Sequence, residues 1–192
     1  MQADLERILF DEATIHRRLD ELAAQIAKDY RDRELTVIAI LNGSVILMAD
    51  LLRRIPLPLK LDCLSVASYY GEAATTGEVV FKQIALPDVA GRHILVLDDI
   101  LDSGVTLAAI RDKLKTERPL SVKICVLLRK LKPRLRPVEA DHVGFNIGDE
   151  FVVGYGLDDR KHRPRARTST VAVFEILDLL PNICGWQAGE VR

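Results

Sequence analysis

Residues 94–107 read ILVLDDILDSGVTL, an apolar run that enters two adjacent aspartates, Asp98 and Asp99, and reaches a third, Asp102, before Ser103, Gly104, Val105 and Thr106. A glycine between a strand and a helix lets the backbone turn tightly and aim several N–H groups into one concavity, and the positive end of the helix favours an anion there. Ser103 and Thr106 add hydroxyl donors. The loop has no lysine and lacks the G-x-x-x-x-G-K-[ST] spacing, which excludes a triphosphate P-loop. Two adjacent carboxylates repel each other unless something positive or hydrogen-bonding lies between them. Ribose hydroxyls, or a magnesium ion, would satisfy them. Read alone, DSG is a helix cap and DD a solvated acidic turn. Two acids, two apolar residues and then D-S-G-x-T in one run form a far rarer combination than either part alone.

The elements that must position these groups are legible as apolar runs. LTVIAIL (35–41), LKLDCLSVASYY (59–70), HILVLDD (93–99) and SVKICVLLRK (121–130) read as strands, with shorter ones at 142–147, 151–153 and 171–176. Residues 5–10 form a short strand, and Asp11 then caps a helix to about Tyr30 with Ile15, Leu19, Leu22 and Ile26 on one face. SVILMADLLRRI (44–55) is the next helix, and another carries Leu107, Ile110 and Leu114. Strands alternating with helices, with apolar central strands, predict an α/β fold with a parallel sheet flanked by helices. Ligands then sit outside the carboxyl ends of the strands. The loops 42–44, 68–78 and 98–106 should converge there.

Composition sets bounds. A chain of 192 residues suits a single domain. A net charge of −1 argues against a mainly electrostatic nucleic-acid binder. Cys63, Cys125 and Cys184 have neither disulfide-framework nor zinc-site spacing. MQADLERILF lacks the pattern of a signal peptide, and no apolar run approaches the ~20 residues that span a bilayer, so a cytoplasmic protein without nucleic-acid or membrane partners is expected.

VLDDILDSGVTL resembles the phosphoribosyl-pyrophosphate signature of the type I phosphoribosyltransferases. The resemblance implies that Asp98 and Asp99 approach the ribose hydroxyls and that Asp102, Ser103, Gly104, Val105 and Thr106 hold the 5′-phosphate. Val105 stands where the purine branch often has lysine. FVVGYGLDD (151–159) resembles the purine segment of the hypoxanthine-guanine phosphoribosyltransferases. By that likeness Phe151 stacks on the base, Val152 offers backbone groups to its edge, and Asp158 joins Asp98 and Asp99 in holding Mg2+ with pyrophosphate. Lys130 matches the lysine that reads a 6-oxo group, with Lys132 close enough to compete. An ammonium only donates, so it selects a carbonyl over an amino group. LNGS (41–44) is similar to the pyrophosphate loop, in which members can carry a non-proline cis peptide; Asn42 and Gly43 are its contacts here. SYYGEAATTGE (68–78), led by Ser68 and Tyr69, matches the mobile lid. Asp159 replaces an expected aromatic, and the later arginine that reaches pyrophosphate is Arg163 or Arg165.

The likeness spans about residues 5–176 and implies a single phosphoribosyltransferase domain, with a core of about 35–153 and a small hood from about 1–15 and 154–192. The implied reaction makes IMP or GMP and pyrophosphate from hypoxanthine or guanine and phosphoribosyl pyrophosphate, with Asp102 as general base and self-association into a homodimer or homotetramer. Two rivals stay open: a xanthine-preferring enzyme, and a regulatory protein that keeps the pocket and binds nucleotide or RNA. No basic, aromatic-rich face supports the second.

Overall fold

A computed structural model describes residues 5–68, 79–81, 87–157 and 170–172. Nine strands and three helices follow in the order β1 (Leu5–Ile8), α1 (Glu12–Asp29), β2 (Leu35–Leu41), α2 (Val45–Leu52), β3 (Leu59–Ser68), β4 (Val79–Phe81), β5 (His93–Leu101), α3 (Val105–Thr116), β6 (Ser121–Lys130), β7 (His142–Ile147), β8 (Phe151–Val153) and β9 (Thr170–Ala172) among the described residues.

The main sheet has the order β4-β3-β2-β5-β6-β7. Its five long strands are parallel, and only the edge strand β4 runs antiparallel, against β3. From β2 the chain goes outward to β3 and then crosses back to place β5 on the other side of β2. The carboxyl ends of β2 and β5 therefore flank the point where strand order reverses, the place where such sheets open a crevice. Loops 42–44 and 102–104 start from these two strand ends.

Strand alternation sorts the apolar residues between two cores. Leu35, Val37, Leu95, Leu97, Cys125 and Leu127 pack with Ile15, Leu19, Leu22 and Ile26 of α1 and Leu47 and Leu51 of α2. Ile38, Ile40, Ile94, Val96, Ile124 and Val126 pack with Leu107, Ile110 and Leu114 of α3. Both faces are covered, which is why these strands read as continuous hydrophobic runs. Cys125 acts as a small hydrophobe; burial pushes its thiol up to about 12. Asp11 caps α1 as the sequence predicts, its Oδ1 accepting from the Thr14 N–H at 2.7 Å.

A second, three-stranded sheet has the order β1-β9-β8, all parallel. It joins the start of the chain to segments after β7, and it includes Phe151–Val153. Phe10 stacks on Phe145 at 4.0 Å, and Arg7 donates to Glu150 Oε1 at 2.8 Å, so the small sheet is fastened to the end of β7.

Three differences from the sequence reading matter. The helix predicted over 44–55 ends at Leu52. The short strand β4 has no apolar run long enough to reveal it. Above all, β5 continues to Leu101, so Asp98 and Asp99 lie inside the strand rather than at its end. No helix among the described residues is long and apolar enough to cross a membrane.

Candidate active site

The loop between β5 and α3 turns at Gly104, whose φ of +78° is the left-handed region that glycine enters without strain. Gly104 itself is the N-cap of α3, so neither Asp102 nor Ser103 serves as the cap. A β-carbon on Gly104 would lie 2.3 Å from the Arg136 carbonyl oxygen, because the chain after β6 crosses over this turn. The Leu135 and Arg136 N–H groups both donate to the Ser103 carbonyl, at 3.0 and 3.2 Å. The first intrahelical bond runs from the Ala108 N–H to the Gly104 carbonyl at 2.9 Å. The N–H groups of the first turn have no helical partner and are free to face an anion, apart from a long 3.4 Å contact from the Val105 N–H to Ser103 Oγ.

Asp98 and Asp99 alternate along β5 and so occupy different surroundings. Asp98 is buried; burial first, and the neighbouring Asp99 charge second, hold its carboxyl well above the usual range. Its Oδ1 accepts the Asp99 N–H at 3.0 Å. Asp99 faces the loop that follows β2. A β-carbon on Gly43 would lie 1.9 Å from Asp99 Oδ2, so only a bare Cα lets this carboxylate stand there. The Leu41–Asn42 peptide in that loop is cis, and Ser44, fully buried, donates to the Ile40 carbonyl at 2.6 Å. A buried acid beside a second carboxylate is a donor set that a hard divalent cation fits, since the ion offsets both charges. Among the described residues no group of three metal-ligating side chains occurs, and Asp158 lies outside them.

The 151–157 segment meets the same loop from the other side. Gly156, at φ +89°, brings its Cα so close to Gly43 that a β-carbon would lie 2.6 Å from the Gly43 carbonyl oxygen. The turn is anchored by Tyr155, which is buried and donates its hydroxyl to Asp50 Oδ2 of α2 at 2.6 Å. Phe151 is half-buried and Val152 is buried.

Lys130, at the end of β6, closes the arrangement. Its side chain is 10% exposed, and its Nζ lies 3.1 Å from Asp102 Oδ2. Lys132 also reaches Asp102, at 2.6 Å from Oδ1. Asp149, which the sequence reading did not single out, pairs with both lysines, at 3.3 Å from Lys130 and 2.7 Å from Lys132. Partial burial works against the Lys132 charge, but its bonds to Asp102 and Asp149 outweigh that and raise its pKa. The bond from Lys132, first, and that from Lys130 lower Asp149. No sequence signal marks Asp149; it arrives through the parallel pairing of Lys130 with Ile147.

The structure thus brings Asn42, Gly43, Asp98, Asp99, Asp102, Ser103, Gly104, Val105, Thr106, Lys130 and the 151–157 turn to the same end of the sheet. Ser68 ends β3 at that edge, three residues past Ser65, the partner of Leu41. Tyr69, Asp158, Arg163 and Arg165 lie outside the described residues.

A parallel sheet with a glycine turn at a helix N-terminus and paired acids at its switch point is an α/β arrangement with a crevice at the carboxyl ends of its strands. The chain belongs to the phosphoribosyl transferase domain family, whose model matches residues 8–160. It is 41% identical over 161 residues to a hypoxanthine-guanine phosphoribosyltransferase of Staphylococcus epidermidis, covering 84% of this chain and 90% of that one. It is 40% identical over 160 residues to a hypoxanthine phosphoribosyltransferase of Haemophilus influenzae, covering 81% and 89%. The crystal structure of a hypoxanthine phosphoribosyltransferase from Staphylococcus aureus superposes with a TM-score of 0.79 at 38% identity, covering 88% of this chain and 91% of that one. These likenesses bear out the fold class and the transferase family expected from the signature.

Proposed function

We propose that this chain transfers a 5-phosphoribosyl group from phosphoribosyl pyrophosphate to hypoxanthine or guanine, giving IMP or GMP and pyrophosphate. The observation that carries this reading is the 3.1 Å pair between Asp102 and Lys130. It joins the phosphate turn to the strand end next to the 151–157 segment, so sugar and base meet at one carboxylate.

In this reading Asp102 through Thr106 hold the 5′-phosphate by backbone N–H groups and hydroxyls. Asp98 and Asp99 hold the ribose and place negative charge beside the cation that develops at C1. Asp102 accepts the proton from purine N7 as N9 attacks C1 and the C1–O bond to pyrophosphate breaks. Lys130 donates to the 6-oxo group, Phe151 stacks on the ring, and Val152 meets its edge. Asn42, Gly43, Ser68, Tyr69 and Arg163 or Arg165 face pyrophosphate. Asp98, Asp99 and Asp158 are the side chains that would hold Mg2+, which when bound neutralises the departing pyrophosphate. The six-stranded sheet is the core of a single domain, the chain ends form the hood, and the protein works as a soluble cytoplasmic homodimer or homotetramer.

Pyrophosphate release from phosphoribosyl pyrophosphate, measured with hypoxanthine, guanine, xanthine and adenine in turn, tests the reading. Release with the first two is expected. Release with xanthine alone would replace the substrate, and release with none would remove the activity.

A further inference from the structure

Lys130, Asp102, Lys132 and Asp149 form a closed ring of alternating charge, with successive N–O distances of 3.1, 2.6, 2.7 and 3.3 Å. Asp102 spends both carboxylate oxygens on the two ammonium groups: Oδ2 on Lys130 and Oδ1 on Lys132. Under the function proposed above, Asp102 must turn an oxygen to the purine, and Lys130 must turn its ammonium to the 6-oxo group. Engaging the purine draws each away from the other and weakens their pairing. A lysine whose side chain is 10% exposed is costly to leave uncompensated. Asp149 is the second carboxylate already in contact with it.

We infer that Asp149 is a positioning residue for base recognition: it keeps the Lys130 ammonium neutralised and in place while Asp102 engages the purine. Lys132 completes the device. Its shorter bond to Asp149 fixes that carboxylate, whose side chain is otherwise 59% exposed and free to reorient. Without Asp149, two ammonium groups would share Asp102 alone and hold it away from the base. The inference rests on the proposed transferase reading, but the residue has no contact with the phosphate turn and should affect one substrate only.

The test compares Asp149→Asn and Asp149→Glu with the wild-type chain in the pyrophosphate-release assay. Asp149→Asn should raise the KM for hypoxanthine and guanine about tenfold, a modest figure because the carboxylate is half in water. The KM for phosphoribosyl pyrophosphate should stay as in wild type, kcat should fall less than the purine KM rises, and discrimination against adenine should weaken. Asp149→Glu, which restores the charge, should recover most of the loss, and both variants should melt like wild type. An unchanged purine KM in Asp149→Asn, a parallel rise in the KM for phosphoribosyl pyrophosphate, or loss of its folding transition would each overturn the inference. A wild-type chain that releases no pyrophosphate with any purine would fail the parent reading and this inference with it. An active wild type with an unaltered asparagine variant would fail the inference alone.

Discussion

Gly43 and Asp99 stand so close that a methyl group on the glycine Cα would lie 1.9 Å from the Asp99 Oδ2 atom. The contact joins the loop after β2 to the acids of β5 across the crevice. Gly43→Ala should therefore move the Asp99 carboxylate. The atom displaced is the end of a side chain, and so the fold should tolerate the change. The melting temperature should shift little, while the KM for phosphoribosyl pyrophosphate should rise about tenfold, the effect of a misplaced charged hydrogen-bonding group. An unaltered KM would mean that Asp99 does not meet the sugar.

Asp102 stands at the start of the turn before α3 and pairs with Lys130 at the end of β6. Asp102→Asn keeps the shape of the side chain and removes its capacity to take a proton. Turnover should fall by about 10²–10⁴-fold, the usual contribution of a general base. Binding of a 5′-nucleotide, measured by calorimetry, should be largely retained, because in the proposed reading backbone N–H groups and hydroxyls hold the phosphate. Unchanged turnover would remove Asp102 from that role.

The turn at 154–157 depends on a bond made 105 residues back in the chain, from the Tyr155 hydroxyl to Asp50 Oδ2 at 2.6 Å. Tyr155→Phe removes the donor and leaves Asp50 with Arg53 at 2.5 Å. Stability should drop by about 1–2 kcal/mol, as for a lost hydrogen bond to a partly buried charged partner. Chemical denaturation with an unchanged midpoint would show that the turn is held by packing alone.

His142 sets part of the acid sensitivity. It is 5% exposed, 3.5 Å from Asp29, and burial holds its pKa below the ordinary histidine value despite that carboxylate. The unfolded chain takes up a proton near pH 6.5 while the folded chain does not. Stability from this residue is thus complete above about pH 6.5 and declines as pH falls from there toward the depressed folded value. His142→Asn removes that slope. The stability gap between wild type and variant should narrow between about pH 7 and pH 5 in denaturant titrations. A gap that stays constant over this range would assign His142 a folded pKa no lower than that of free histidine.

Much of the frame was legible in the chain itself. β2 and β6 match the predicted runs because central strands covered on both faces need apolar sequence, and Asp11 capped α1 because a cap and its helix are neighbours in sequence. The D-D-x-x-D-S-G-x-T run carried the turn between β5 and α3 for the same reason: every part of it lies within nine residues. What the sequence could not decide were contacts made by strand order and register. Lys130 reaches Asp102 because β6 pairs with β5 in parallel register, with Leu101 opposite Arg129. Asp149 joins them because β7 pairs next to β6 and the chain turns just beyond Ile147. Gly43 meets Asp99 because β2 and β5 are neighbours at the switch point, and it meets Gly156 because the turn after β8 folds back onto the loop after β2. Local propensity and motif fix groups that sit together along the chain. Groups far apart become one site only when backbone pairing sets which strand ends are adjacent.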